Sequence, residues 1–237
     1  MAKREELKIV VPHQGVEHVA ARLDLPGGDP VGVYVMAHGA GAPMTSDFME
    51  AAAPRIADAA ALAVVRFNYA YAEKMSRTSS RLPPEPRRAL EVIHRTVLQW
   101  TRDRFPHLPL VGGGKSLGGR IASLMAAEAE PMDGLVFLGY PLHPPGKPEK
   151  LRTEHFPKLD LPMLFLQGDR DALADLDLLR PALEALPRKA ALHVVAGGDH
   201  SFSVLKRSGR TPEEVLDEIA SAVADWSAKS LPGRSQA

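Results

Sequence analysis

The stretch Leu108-Pro-Leu-Val-Gly-Gly-Gly-Lys-Ser-Leu-Gly-Gly-Arg-Ile-Ala-Ser-Leu-Met125 constrains the fold of this chain more than any other. It reads as a short buried strand, an abrupt glycine-walled turn carrying one serine, and then a helix. Gly114-Lys115-Ser116-Leu117-Gly118 fits the pattern G-x-S-x-G, in which a strained strand-to-helix turn lifts a serine oxygen above the edge of a sheet. The glycines have a steric reason, because a side chain at Gly114 or Gly118 would obstruct the close packing of strand and helix, and Gly119 extends that allowance. The turn also leaves Ser116 at a helix N-terminus, where free N–H groups favour developing negative charge. Gly114-Lys115-Ser116 ends like a phosphate-binding loop, but the position that would need another glycine is Pro109, inside hydrophobic strand. A match this short also arises by chance in glycine-rich turns, so its partners downstream must decide.

The flanking sequence supplies a scaffold. Leu7 to Val11 and Val16 to Leu25 read as two antiparallel strands. Val31-Gly-Val-Tyr-Val-Met-Ala37, Leu62 to Phe67, Leu135 to Leu138, Pro162 to Gln167 and Ala191 to Val195 are short apolar runs of the kind covered on both faces. Helical patterns fall between them. Phe48 to Ala61 is rich in small residues, and Pro86 to Asp103 carries Leu90, Ile93, Val97 and Trp100 on one face. A leucine-rich helix is expected to be interrupted by Pro181. The last helix opens with the capping box of Thr211 and Glu214. Asn68 to Pro86 is polar and reads as one long irregular connection, a candidate for lining a site. The alternation implies a single α/β domain over residues 1–230, with a mostly parallel central sheet, helices on both faces, and a frayed tail from 231 to 237. Ligands in such sheets collect at the carboxyl ends of the strands.

A serine hydroxyl becomes a useful nucleophile when a base takes its proton and an acid orients that base. On this scaffold the chain order should be serine, acid, histidine. Gln167-Gly-Asp-Arg-Asp171 offers the acid just past a strand end, and Gly197-Gly-Asp-His-Ser-Phe202 offers His200 just past the last strand. Asp171 is preferred to Asp169 because it lies farther past the strand, with reach back to the imidazole, whereas Asp169 suits a turn-capping role. Asp199 adjoins His200, and adjacent side chains diverge. His193 falls inside a strand, and His13, His18, His94 and His107 have no place in a site. For the oxyanion, the expected donors are the backbone N–H of Leu117 and that of Ala40 in the loop His38-Gly-Ala-Gly41.

These segments resemble the α/β-hydrolase superfamily, over nearly the whole chain. The likeness is to small members without a lid domain, among them the dienelactone-hydrolase-like proteins. It is stronger to the hydrolase-like family that includes a domain of a non-specific lethal chromatin-complex subunit. His38-Gly-Ala-Gly-Ala-Pro-Met44, Gly113-Gly-Lys-Ser-Leu-Gly-Gly-Arg120, Gly139-Tyr-Pro-Leu-His-Pro-Pro-Gly-Lys-Pro148 and Gly198-Asp-His-Ser-Phe202 carry it. Dienelactone hydrolases typically use cysteine where this chain has Ser116. The resemblance implies a triad of Ser116, Asp171 and His200 and an open site for a small ester or thioester. Hydrolysis is expected, with acyl transfer or a non-catalytic binding module as alternatives. Met44, Phe48, Tyr69, Tyr71, Tyr140, Leu142 and His143 are candidate pocket walls. Lys147, Lys150, Arg152 and Lys158 are a candidate cationic rim.

Composition narrows the partners. The 237 residues carry 29 basic and 29 acidic side chains, so no broad field favours nucleic acid or an acidic membrane. The absence of cysteine removes disulfides and thiolate chemistry. No secretory leader or bilayer-length apolar run is visible, and the expected setting is the cytoplasm. No metal or organic cofactor is expected, and the sequence does not fix an oligomeric state.

Overall fold

A computed structural model describes residues 3–13, 15–78, 81–188 and 190–231. Strands β1 (Lys3–His13) and β2 (Val16–Leu25) form an antiparallel hairpin ahead of six parallel strands. These are β3 (Gly32–Val35), β4 (Leu62–Phe67), β5 (Leu110–Lys115), β6 (Gly134–Leu138), β7 (Met163–Gly168) and β8 (Ala191–Val195). The sheet order is β1-β2-β4-β3-β5-β6-β7-β8, with β2 antiparallel to β4. The Ser116 strand, β5, is therefore interior, flanked by β3 and β6.

Both faces of the sheet are covered. Helices α1 (Asp47–Ala60) and α6 (Pro212–Ser230) bury Met49, Ile56, Val215, Ile219 and Trp226 against one face. Helices α3 (Arg87–Arg104), α4 (Leu117–Ala126) and α5 (Leu176–Glu184) cover the other through Ile93, Val97, Ile121, Met125 and Leu179. Two-sided burial is why β4, β6 and β7 are buried at every residue and read as predominantly apolar runs. The capping box at the start of α6 is present, with Thr211 Oγ1 accepting from Glu214 N–H and Glu214 Oε2 accepting from Thr211 N–H.

Two expectations are corrected. The connection after β4 is not irregular throughout, because Ala70–Thr78 forms helix α2. Its cohesion is tertiary: Tyr71 is buried, and Glu73 Oε1 accepts from Ala20 N–H of β2 at 2.8 Å. Pro181 does not interrupt its helix either. Helix α5 runs through it, started by Asp175, whose carboxylate accepts from Asp177 N–H at 2.9 Å, and held by fully buried Leu179. Leu231 packs partly buried against the core, and the rest of the expected tail lies outside the described residues. No described helix is long and apolar enough to cross a membrane.

Candidate active site

Ser116 leaves β5 with φ 47° and ψ −110°, a conformation that costs an L-residue on the order of 1–3 kcal/mol. The turn closes against the neighbouring strand end rather than only against its own helix. A Cβ on Gly114 would lie 2.1 Å from the carbonyl oxygen of Ala37, and one on Gly118 would lie 2.5 Å from the same atom. Gly119 provides the predicted helix–strand approach, since a Cβ there would come within 2.8 Å of Gly114 O.

His200 Nε2 stands 2.9 Å from Ser116 Oγ, and His200 Nδ1 stands 2.7 Å from Asp171 Oδ2. The carboxylate is fully buried and acts only as an acceptor when ionised, so Nδ1 carries a proton and Nε2 is free to accept one from the serine. Asp171 is held in turn by Leu173 N–H on Oδ1 at 2.7 Å and by the Gln167 side-chain amide on Oδ2. Asp169 is turned away from the histidine and accepts from Gly197 N–H at 2.7 Å. Gly168 makes the meeting of the two loops possible, because a Cβ there would fall 2.2 Å from Gly198 O. Asp199 shapes the histidine loop by accepting from Ser201 N–H and Ser203 N–H at 2.8 and 2.9 Å.

The loop after β3 is braced from below. Tyr69 N–H donates to His38 Nε2 at 3.1 Å, so the His38 proton sits on Nδ1 and is given to Gly39 O at 2.8 Å. Burial lowers His38 to about 4, which keeps the ring neutral at physiological pH. Tyr71 O–H also donates to Gly39 O. Further along, Asn68 Oδ1 accepts from Met44 N–H at 2.9 Å and Arg66 Nη1 donates to Met44 O at 2.8 Å. Gly39 packs beside Ser116, while the backbone N–H groups of Ala40 and Leu117 are without a partner among the described residues.

The expected pocket walls divide. Phe48 is half-buried and stacks on Phe202 with ring centroids 5.5 Å apart, beside the histidine loop. His143 lines a cavity of about 580 Å³ next to Asp171. Met44 and Tyr71 are buried supports of the loop after β3. Tyr69, Tyr140 and Leu142 belong to the core: Tyr69 O–H meets His94, and Tyr140 packs on Phe137, Phe156 and Phe165. The apolar layer beneath the loops absorbs these side chains. Of the expected rim, Lys147, Lys150 and Lys158 are exposed, and only Arg152 is half-buried.

Sequence reasoning missed Lys115 and Gln167 as supports. Lys115 Nζ donates to the His200 carbonyl and lies over the Phe202 ring, 5.4 Å from its centroid. Gln167 is completely buried in β7 and its amide points at Asp171. A polar residue ending an apolar strand, directly ahead of the acid loop, was the available signal.

An alpha/beta hydrolase domain family matches residues 31–228. The chain belongs to that family. Solved structures agree on the fold. A dienelactone hydrolase from Anabaena variabilis superposes with TM-score 0.71 at 21% identity, covering 98% of this chain and 99% of that one. XC6422 from Xanthomonas campestris, an α/β serine hydrolase without a lid, gives 0.69 at 21% identity over 98% and 96%. EstE1, a carboxylesterase cloned from a metagenomic library, gives 0.65 at 17% identity over 94% and 89%. At these identities the likeness is one of fold. Among the described residues, no lid domain interrupts the strand connections.

Proposed function

We propose that this member of the family is a serine hydrolase of carboxylic esters or thioesters, acting through an acyl-enzyme without metal or organic cofactor. Ser116 Oγ attacks the carbonyl carbon while its proton passes to His200 Nε2, and Asp171 stabilises the imidazolium that results. The tetrahedral oxyanion is taken up by the free N–H groups of Leu117 and Ala40, each donor contributing on the order of 3 kcal/mol. His200 then protonates the leaving alcohol or thiol, and water attacks the acyl-enzyme with His200 again as base.

The observation that carries this reading is the unbroken hydrogen-bonded run from Ser116 Oγ through His200 to buried Asp171, at 2.9 and 2.7 Å. A scaffold would have no use for a serine held in a strained turn against an imidazole that is itself tied to a buried carboxylate. The test is labelling by a fluorophosphonate probe, with wild type and Ser116→Ala side by side and the modified peptide mapped. Label on Ser116 that disappears in the variant is the expected result; a folded wild type that takes no label would refute it and leave a binding module. Turnover of short-chain esters against thioesters then defines the substrate class, and competition by an added alcohol or thiol separates acyl transfer from hydrolysis.

A further inference from the structure

The two proposed oxyanion donors are held in different ways. Leu117 is the first residue of α4, so its N–H is aimed by the helix and by the turn at Ser116. Ala40 lies exposed in the loop after β3, and its N–H belongs to a peptide whose other flank is Gly39. Glycine leaves that peptide freer to rotate than any other residue would. The aim of the Ala40 N–H therefore depends on what holds the peptide.

Two side-chain donors converge on the carbonyl oxygen of Gly39. His38 Nδ1–H gives one hydrogen bond at 2.8 Å and Tyr71 O–H gives the other at 3.2 Å, with Tyr71 Oη also 3.5 Å from His38 Nδ1. Both lone pairs of the oxygen are thereby used. No described peptide bond is cis, and in a planar trans peptide the N–H points opposite to the carbonyl. Because buried His38 and Tyr71 draw the Gly39 carbonyl inwards, the Ala40 N–H is turned outwards. It leaves backbone that runs beside the reacting serine: a Cβ on Gly39 would lie 3.5 Å from Ser116 Cβ. Hydrogen bonds accepted by the carbonyl also polarise the amide and make its N–H a stronger donor.

Tyr71 is built as a fixed post. It is the second residue of α2, a helix tied to the sheet where Glu73 Oε1 accepts from Ala20 N–H at 2.8 Å. Its ring meets that of His38 edge-on with centroids 5.6 Å apart, and stacks on Tyr69 at 6.3 Å. Burial raises the phenol above its ordinary value, so Oη keeps its proton and stays a donor throughout the neutral range. With 1% of its surface exposed, Tyr71 acts through Gly39 and not on a substrate.

We propose that the Tyr71 hydroxyl is a positioning group for the reaction: by holding Gly39 O together with His38, it keeps the Ala40 N–H aimed at the oxyanion that forms when Ser116 attacks. The proposal rests on the hydrolase reading above and deepens it. Packing alone would need the ring; this role needs the oxygen.

Tyr71→Phe removes the oxygen and keeps the ring. On p-nitrophenyl butyrate its kcat is expected to fall about tenfold with KM nearly unchanged, less than the ~10²–10³ lost with a whole oxyanion donor. The rate is counted per fluorophosphonate-titrated site, so unfolded molecules do not enter it. Trifluoromethyl n-butyl ketone reads the same step without a leaving group: Ser116 Oγ adds to its carbonyl carbon, the serine proton passes to His200, and the carbonyl oxygen becomes the oxyanion. Its Ki should rise by the factor by which kcat falls. Crystal structures should show the Gly39–Ala40 peptide in one orientation in wild type, and rotated or divided between two in Tyr71→Phe. Unchanged kcat and Ki in the variant, a change confined to KM, or a peptide that does not move overturns the proposal. A wild type that neither turns over the ester nor binds the ketone removes the hydrolase reading, and the two crystal structures still decide whether Tyr71 sets the peptide.

Discussion

Lys115, the residue before Ser116, reaches across to the carbonyl of His200, the residue whose ring contacts the Ser116 hydroxyl. The two ends of the Ser–His contact are therefore tied by a second bond that does not involve either reacting atom. Burial lowers the ammonium to about 8. Lys115→Met keeps the apolar stem over Phe202 and removes the donor. The variant is expected to lose kcat by roughly tenfold to a hundredfold, the cost of a small misplacement of the base, with KM changed far less. Steady-state kinetics on a short-chain ester checks this, and an unaltered kcat would show that the loop holds His200 alone.

The strain at Ser116 is separable from its chemistry. Ser116→Ala and Ser116→Gly should both lose labelling and turnover. Only glycine relieves the positive φ, so Ser116→Gly is expected to be more stable than Ser116→Ala by about 1 kcal/mol. The difference between their urea midpoints measures it; equal midpoints would mean that the turn stores no strain.

Asp171 and Asp169 are separated by geometry, since one meets the His200 ring and the other caps Gly197. Asp171→Asn presents an amide to Nδ1, favours the wrong tautomer, and is expected to slow kcat by about 10⁴-fold on the proposed mechanism. Asp169→Asn keeps an acceptor for Gly197 N–H and should stay within a few-fold of wild type. A larger effect from Asp169→Asn would reverse the assignment of the acid.

The parts of the site that were legible in the sequence are those with a steric or chain-order requirement. Glycine at 114 and 118 is needed because Ala37 leaves no room for a Cβ, and such constraints are written locally. The parts that were not legible depend on distant contacts. Nothing in Ala70–Thr78 announces that Glu73 will cap an N–H of β2, and nothing near Tyr140 announces that three aromatic rings will enclose it.

Arg66 links the fold to the loop after β3. Its buried guanidinium binds Asp24 through Nε and Nη2 at 3.0 and 2.8 Å and holds Met44 O and Glu50 through Nη1. Arg66→Met leaves the buried Asp24 carboxylate with Arg4 as its remaining charge partner and frees Met44 O. A loss of about 3–5 kcal/mol is expected, as for removing one partner of a buried ion pair. Urea unfolding at neutral pH measures it, and a loss below 1 kcal/mol would show that Arg4 alone satisfies Asp24.

Two buried histidines set the acid limit of the fold. Burial takes His38 to about 4 and His94 to about 3. Tyr69 Oη and His94 Nδ1 are 3.0 Å apart, and His94 Nε2 has no hydrogen-bond partner among the described residues. Protonating the ring would make both nitrogens buried N–H groups, with no acceptor for the one on Nε2. The folded-state values lie below the ordinary value near 6.5, so the unfolded chain binds the protons first. Stability is then complete above about pH 6.5 and falls as the pH drops from there towards 4, each ring contributing a slope of ~1.4 kcal/mol per pH unit. His94→Gln removes one titrating ring, and its urea midpoint should fall less steeply between pH 6.5 and 4 than that of wild type. Parallel curves for the two proteins would show that His94 is not buried as a neutral ring.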